Sequence, residues 1–182
     1  MALLEFDNRR GWRARVWLDE LPTTALLSND TVREIHVFEC GSAVASRKSV
    51  AVEVFQPFGA SFHYGLLGGE YRPIQRRALE VIIPTDTPST ARLYADSLAG
   101  SLDTVTIGGL PEYATGICTG LQRLSLIAKP CGALSLTCMA YGEVGSAPII
   151  FGSLARALIL VLCSPGHPSS LDEAMALLAA QN

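Results

Sequence analysis

The chain has 182 residues, 49% of them hydrophobic, and its 14 Lys and Arg against 17 Asp and Glu leave a net charge of -3. That length and apolar content can bury a core without a metal or a disulfide, and the acidic balance excludes attachment to nucleic acid by overall charge. Any RNA contact has to be local.

The opening MALLEFDNRRGW mixes acidic and basic residues and has no apolar core, so it does not read as a secretory signal. The most hydrophobic stretch, PIIFGSLARALILVLC at 148–163, contains Arg156 and falls short of the ~20 residues that a membrane span needs. It reads as a buried helix. These features give the expectation of a cytoplasmic chain with no membrane segment. Cys40, Cys118, Cys131, Cys138 and Cys163 are odd in number, form no CxxC pair and sit mostly among apolar neighbours. They are expected to be reduced core thiols with no native disulfide.

Along the chain, residues 1–30 form a mixed N-terminal extension with a short strand at 13–18 and a turn at 28–30. TVREIHVFE (31–39) and SVAVEVFQP (49–57) alternate as strands do, and the short link between them predicts an antiparallel pair. FGASFHYGLLGGEYRP (58–73), rich in glycine and aromatics, reads as a loop or an irregular hairpin tip. RRALEVIIP (76–84) is a strand that ends at a proline. Residues 88–101 read as a helix starting at Ser89 or Thr90, or else as a ragged strand.

Residues 103–109 form a strand that enters a tight turn. A helix over 111–128 follows, with Pro111 in its first turn, Glu112 at its positive end, and Tyr113, Ile117, Leu121 and Leu124 on one face. A strand at 132–142 and a helix at 146–162, capped by Ser146, come next. SPGHP stops that helix, and a capping box opens a last helix over 169–180. The two helices at 111–128 and 146–162 are expected on the same face of the sheet. All of this predicts one α+β domain over 1–182.

GGLPEYATG at the entry to the first helix is neither a dinucleotide fingerprint nor a P-loop, and Glu112 would repel a phosphate there. Gly116 and Gly120 instead allow close packing, at ~1 kcal/mol each in helix propensity. GGLPEYATGICTG resembles the helix entry in domain IV of translation elongation factor G, on Gly108, Gly109, Pro111, Glu112, Tyr113 and Gly120. EVGSAPIIF is similar to the family's entry into its second helix, through Val144, Ser146 and Phe151, with Ala155 and Ala157 on that helix. The strands at 133–142 and 76–84 resemble the family's leading strand and earlier edge strand. The resemblance covers residues 50–162 and implies a two-layer sandwich, a mixed sheet with helices packed on one face. It departs where the family's Asp before Ser is Gly145, where the second tip loop is cut to YGEVG, and in lacking any GTPase P-loop.

His36, His63 and His167 have no metal-ligand spacing, and no metal or cofactor is expected. His63 stands out beside Tyr64 and Tyr71, near Arg72, Arg76 and Arg77, which together form the expected binding loop 63–77. The expectation is a non-catalytic binding or assembly module that contacts RNA, the ribosome, a protein partner or a second copy through that loop, paired with the turn at 141–146. The alternative is a small enzyme with His63 or Glu143 as acid-base and Arg72 or Arg76 as anion clamp.

Overall fold

Alternating apolar side chains build eight strands, and two longer apolar stripes build helices. The computed structural model describes residues 1–8, 10–41, 43–86 and 92–166. The strands are β1 (Ala2–Asp7), β2 (Arg13–Leu18), β3 (Arg33–Glu39), β4 (Ser49–Phe58), β5 (Ser61–Pro73), β6 (Ala78–Pro84), β7 (Val105–Ile107) and β8 (Gly132–Gly142). The helices are α1 (Pro111–Arg123) and α2 (Pro148–Cys163). One sheet runs β1-β2-β4-β5-β8-β6-β3, with β7 beside the far end of β8. The β6–β8 pair is parallel and the remaining pairs are antiparallel, so the sheet is mixed.

Both helices pack on one face of the sheet. Tyr113, Ile117 and Leu121 of α1 and Phe151, Leu154 and Leu158 of α2 join Val50, Val52, Leu67, Val81 and Leu134 in the larger core. Pro111 opens α1 where a missing N–H costs nothing, Glu112 lies in its first turn and Arg123 in its last. The helices lie close because they meet at glycine. A Cβ on Gly116 would strike the carbonyl of Pro148, and one on Gly120 the carbonyl of Gly152.

A smaller core lies on the opposite face. Trp17, Phe55, Tyr64, Leu66 and Cys138 of the sheet are covered there by Ala25 and by Tyr94, Leu98, Val105 and Ile107. Among the described residues no α-helix contributes to this cover.

The expected strand, helix, strand, helix unit over 103–162 is present, with both helices on one sheet face. Several expectations are corrected. Residues 61–73 are not a loop but β5, a long strand inside the sheet between β4 and β8. Its glycines signal packing. Gly65 makes room for Leu154 of α2, Gly68 for Ala51, and Gly69 for the carbonyl of Ser135 beside a bulge. The turn is only Gly59 and Ala60, and Gly59 has the positive φ of 60° that the first position of a type II′ hairpin demands.

Strands β3 and β4 are not partners. β4 lies between β2 and β5, and β3 pairs with β6. The 103–109 strand is confined to β7, and α1 ends before Leu124, with a separate 3₁₀ turn at Leu126–Ala128. Residues 92–99 are not helical; Leu93 bridges Thr106, and a 3₁₀ turn follows at Gly100–Leu102. Ser146 does not cap α2. Its hydroxyl donates to the Tyr64 carbonyl and accepts the Gly142 N–H. β1 and β2 extend the sheet, so 1–30 is not a mere extension. The expected helix at 169–180 and His167 lie outside the described residues.

Cys40 and Cys131 form a disulfide, against the expectation of free thiols. The chain folds the end of β3 onto the start of β8, which no local spacing announces. Cys118, Cys138 and Cys163 are free.

Two measurements follow from this packing. Gly120→Ala should destabilise the chain by about 2 kcal/mol in a urea titration, although alanine is intrinsically the better helix former. An unchanged or raised midpoint would show that the helices do not meet there. Thiol titration of the unfolded chain should find three thiols without reductant and five with it, matching the free cysteines and the total. Loss of the cross-link, which spans 91 residues, should cost about 4.6 kcal/mol in the chain-entropy account, read as a lowered midpoint in the same urea titration.

Candidate functional site

The strongest concentration of ionisable groups lies on the helix-free face of the sheet. In β4, alternation sends Val50, Val52 and Val54 toward the helices and Ala51, Glu53 and Phe55 the other way. Glu53 is fully buried. Its Oε1 accepts the Tyr64 hydroxyl at 3.0 Å and the Leu98 N–H at 2.8 Å, and its Oε2 lies 3.5 Å from Arg15 Nη1. Arg15 also donates from Nε to Glu5 at 2.8 Å and from Nη1 to the Asp96 carbonyl at 2.6 Å.

Burial pushes the Glu53 carboxyl up to about 7, against the opposing pull of the Leu98 N–H, Arg15 and Tyr64. Burial and then the nearby Glu53 charge raise the Tyr64 and Tyr94 hydroxyls and the Cys138 thiol. A cleft of about 560 Å³ opens beside the cluster, lined by Glu5, Arg15, Trp17, Glu20 and Asp96 among others. Arg15, Glu5 and Asp96 face it while Glu53 and Tyr64 do not, and the Arg15 guanidinium is taken up by three carboxylates. Glu53 and Tyr64 are sealed beneath. The cluster's work is to pin residues 94–98 over the sheet. Glu53 could have been noticed in SVAVEVFQP as the one charge inside an apolar run, where a strand buried on both faces admits a charge only with partners.

The expected site residues are dispersed. His63 lies near the hairpin end of β5 and stacks on Phe58, with ring centroids 5.7 Å apart. Tyr64 faces the smaller core and serves Glu53. Tyr71 donates to the Cys131 carbonyl at 2.7 Å. Arg72, Arg76 and Arg77 are exposed at the other end of β5, and Arg76 pairs with Glu80 at 3.1 Å. His63 and Arg72 lie about nine positions apart along the strand, roughly 30 Å. One loop 63–77 therefore does not exist as a unit. The turn at 141–146 does meet the His63 end, where Tyr64 N–H donates to the Gly145 carbonyl at 2.8 Å. Glu143 is exposed there, far from the arginines that were to clamp an anion beside it. Among the described residues no three His, Cys, Asp or Glu side chains gather where a metal could sit.

A different surface stands out. Among the described residues the cover over the smaller core stops short of β6 and β3. Ile35 and Val37, each 65% exposed, project from that uncovered face of β3, opposite Ile82 and Glu80 of β6. Val32, also exposed, precedes them. Arg33, Glu39 and the Arg76–Glu80 pair rim these apolar side chains. An apolar centre with a charged rim is the anatomy of a protein contact. The residue-by-residue alternation of 31–39 showed the strand, but the missing cover depends on where distant residues 92–107 lie.

No family model, curated protein or solved structure matches the chain.

Glu53 couples the stability of the fold to pH. A carboxyl whose folded pKa of about 7 exceeds its ordinary 4.5 holds a proton that the unfolded chain has released between those values. Its stabilisation is complete below the lower pKa and is lost as pH rises through the upper one. Relative to Glu53→Gln, the native chain should lose about 3 kcal/mol of stability between about pH 5 and pH 8. Parallel pH profiles for the two proteins would show that Glu53 does not titrate as the buried geometry requires.

Proposed function

We propose that this chain is a non-catalytic binding and assembly module, and that its contact surface is the uncovered end of the sheet formed by β3 and β6. The exposure of Ile35 and Val37 side by side on an edge strand carries the reading. Two large aliphatic side chains on a twisted, open edge leave apolar area and backbone hydrogen-bonding groups in water together, and a partner strand would relieve both. The rim has both signs of charge, which suits a protein partner better than RNA.

The enzyme alternative loses its supports. His63 and Glu143 stand apart from Arg72 and Arg76, and Glu53, the strongly perturbed carboxyl among the described residues, is closed off from substrate by the groups that hold it. The resemblance to domain IV of elongation factor G belongs to this reading as an account of the scaffold only. Of the expected loop, Arg76 retains a part, at the rim of the patch through Glu80.

No helix among the described residues is long and apolar enough to cross a membrane. The Cys40–Cys131 disulfide weighs against a reducing cytoplasm, because such bonds persist mainly in oxidising compartments.

Photo-crosslinking residues placed singly at 35 and 37, with position 149 on α2 as an exposed apolar control, test the surface. Adducts to a second polypeptide from 35 and 37 but not from 149 are expected in cells. Equal yields at all three positions, or adducts only to residues of the same chain, would overturn the proposal.

A further inference from the structure

We infer that the partner at this surface is a second copy of the chain, joined by antiparallel pairing of β3 with β3 about a two-fold axis at His36. This rests on the reading of β3 and β6 as the contact surface and adds the partner's identity and register.

The backbone sets which residues can pair. β3 ends the strand order, so among the described residues one of its edges has no strand beside it. Thr85 N–H donates to the Val32 carbonyl at 3.0 Å, and the register places Pro84, which has no N–H, opposite Arg33. The even-numbered residues of β3 therefore exchange hydrogen bonds with β6, and antiparallel alternation turns the N–H and C=O groups of Arg33, Ile35, Val37 and Glu39 to the open edge.

The side chains select one register among those this parity permits. With His36 opposite His36, Ile35 faces Val37 of the second copy and Arg33 faces Glu39, each pair occurring twice by symmetry. On the uncovered face every residue of β3 then meets a complement, apolar on apolar and cation on anion. Moving by one hydrogen-bonded step either way puts Arg33 opposite Val37 or Ile35 opposite Glu39. Among the described residues no carboxylate lies within ion-pair distance of Arg33, whose guanidinium rests on the carbonyls of Ser28 and Thr31. Glu39 is exposed at the far end of the strand.

The opposite edge of the sheet offers no such match. β1 reads ALLEFD and carries only acidic charges, so pairing with itself would set Glu5 or Asp7 against acids or apolar groups. β3 also lacks the proline, lysine or bulge that commonly blunts a free edge. Self-complementary pairing is the isologous contact that closes at two copies.

Sedimentation of the purified full chain provides the test. The native protein should be a dimer. Arg33→Glu alone sets two carboxylates together, the new one against Glu39 of the second copy, and Glu39→Arg alone sets two cations together. Each should weaken the dimer at least tenfold, with the circular dichroism of the monomer unchanged. An equimolar mixture of these two variants should dimerise again, because each copy then supplies what the other lacks. A native chain that stays monomeric at the highest concentration reached would overturn the proposal. So would a dimer indifferent to both single reversals, or single variants that weaken it while their mixture fails to restore it. If the native chain is monomeric while positions 35 and 37 still crosslink to a different protein, the contact surface stands and only the second copy falls.

Discussion

The crossing of α2 over α1 and β5 is the constraint on which the rest of the molecule depends. Gly116 and Gly120 on α1, Gly152 on α2 and Gly65 on β5 remove side chains where backbones and Leu154 must come together. That closeness lets α2, apolar on nearly every side, bury itself between its neighbour and the sheet. Apolar surface leaves water on a scale of about 25 cal/mol for each Å², so a helix with no polar face is tolerable only when it is covered all round. The same crossing sets both helices on one face. It leaves the other face to be covered by β7 and by irregular chain.

That second cover is fastened by polar groups. Glu53 holds Leu98 and Tyr64, and Arg15 holds Asp96 while it faces Glu53. The carboxyl is costly to bury and is compensated by donors, and removing one partner would expose that cost. Because the fastening points lie over β2, β4 and β5, the cover formed by the described residues reaches the middle of the sheet and ends before β6 and β3. The open apolar surface at that end is thus a consequence of where the buried acid stands.

Local pattern made much of the architecture legible. The stripe through Tyr113, Ile117 and Leu121, the alternation in 31–39 and 49–57, and the proline at 84 each determine an element by short-range chemistry. β5 was illegible for a physical reason. Glycine marks a turn when the backbone needs a positive φ, as at Gly59, but Gly65, Gly68 and Gly69 are present because other atoms occupy the space of their side chains. A single sequence does not show those neighbours. For the same reason the partner of β3, the Cys40–Cys131 link and the dispersal of His63 from Arg72 depended on contacts between distant segments. Glu53 is the intermediate case, visible as a charge in an apolar strand, although its companions were not.

The bond between Cys40 and Cys131 has a mechanical meaning. A strand at the margin of a sheet resists a pull along its length through all its cross-strand bonds together, but a pull at one end peels it away one pair at a time. β3 is such a strand, and the bond lies one residue past its last, tying that end to the residue that precedes β8. Tension arriving from the Cys40 side is therefore carried by covalent bonds to the centre of the sheet. Peeling can begin only from the Arg33 end, where Asp86 accepts the Val32 N–H at 2.7 Å.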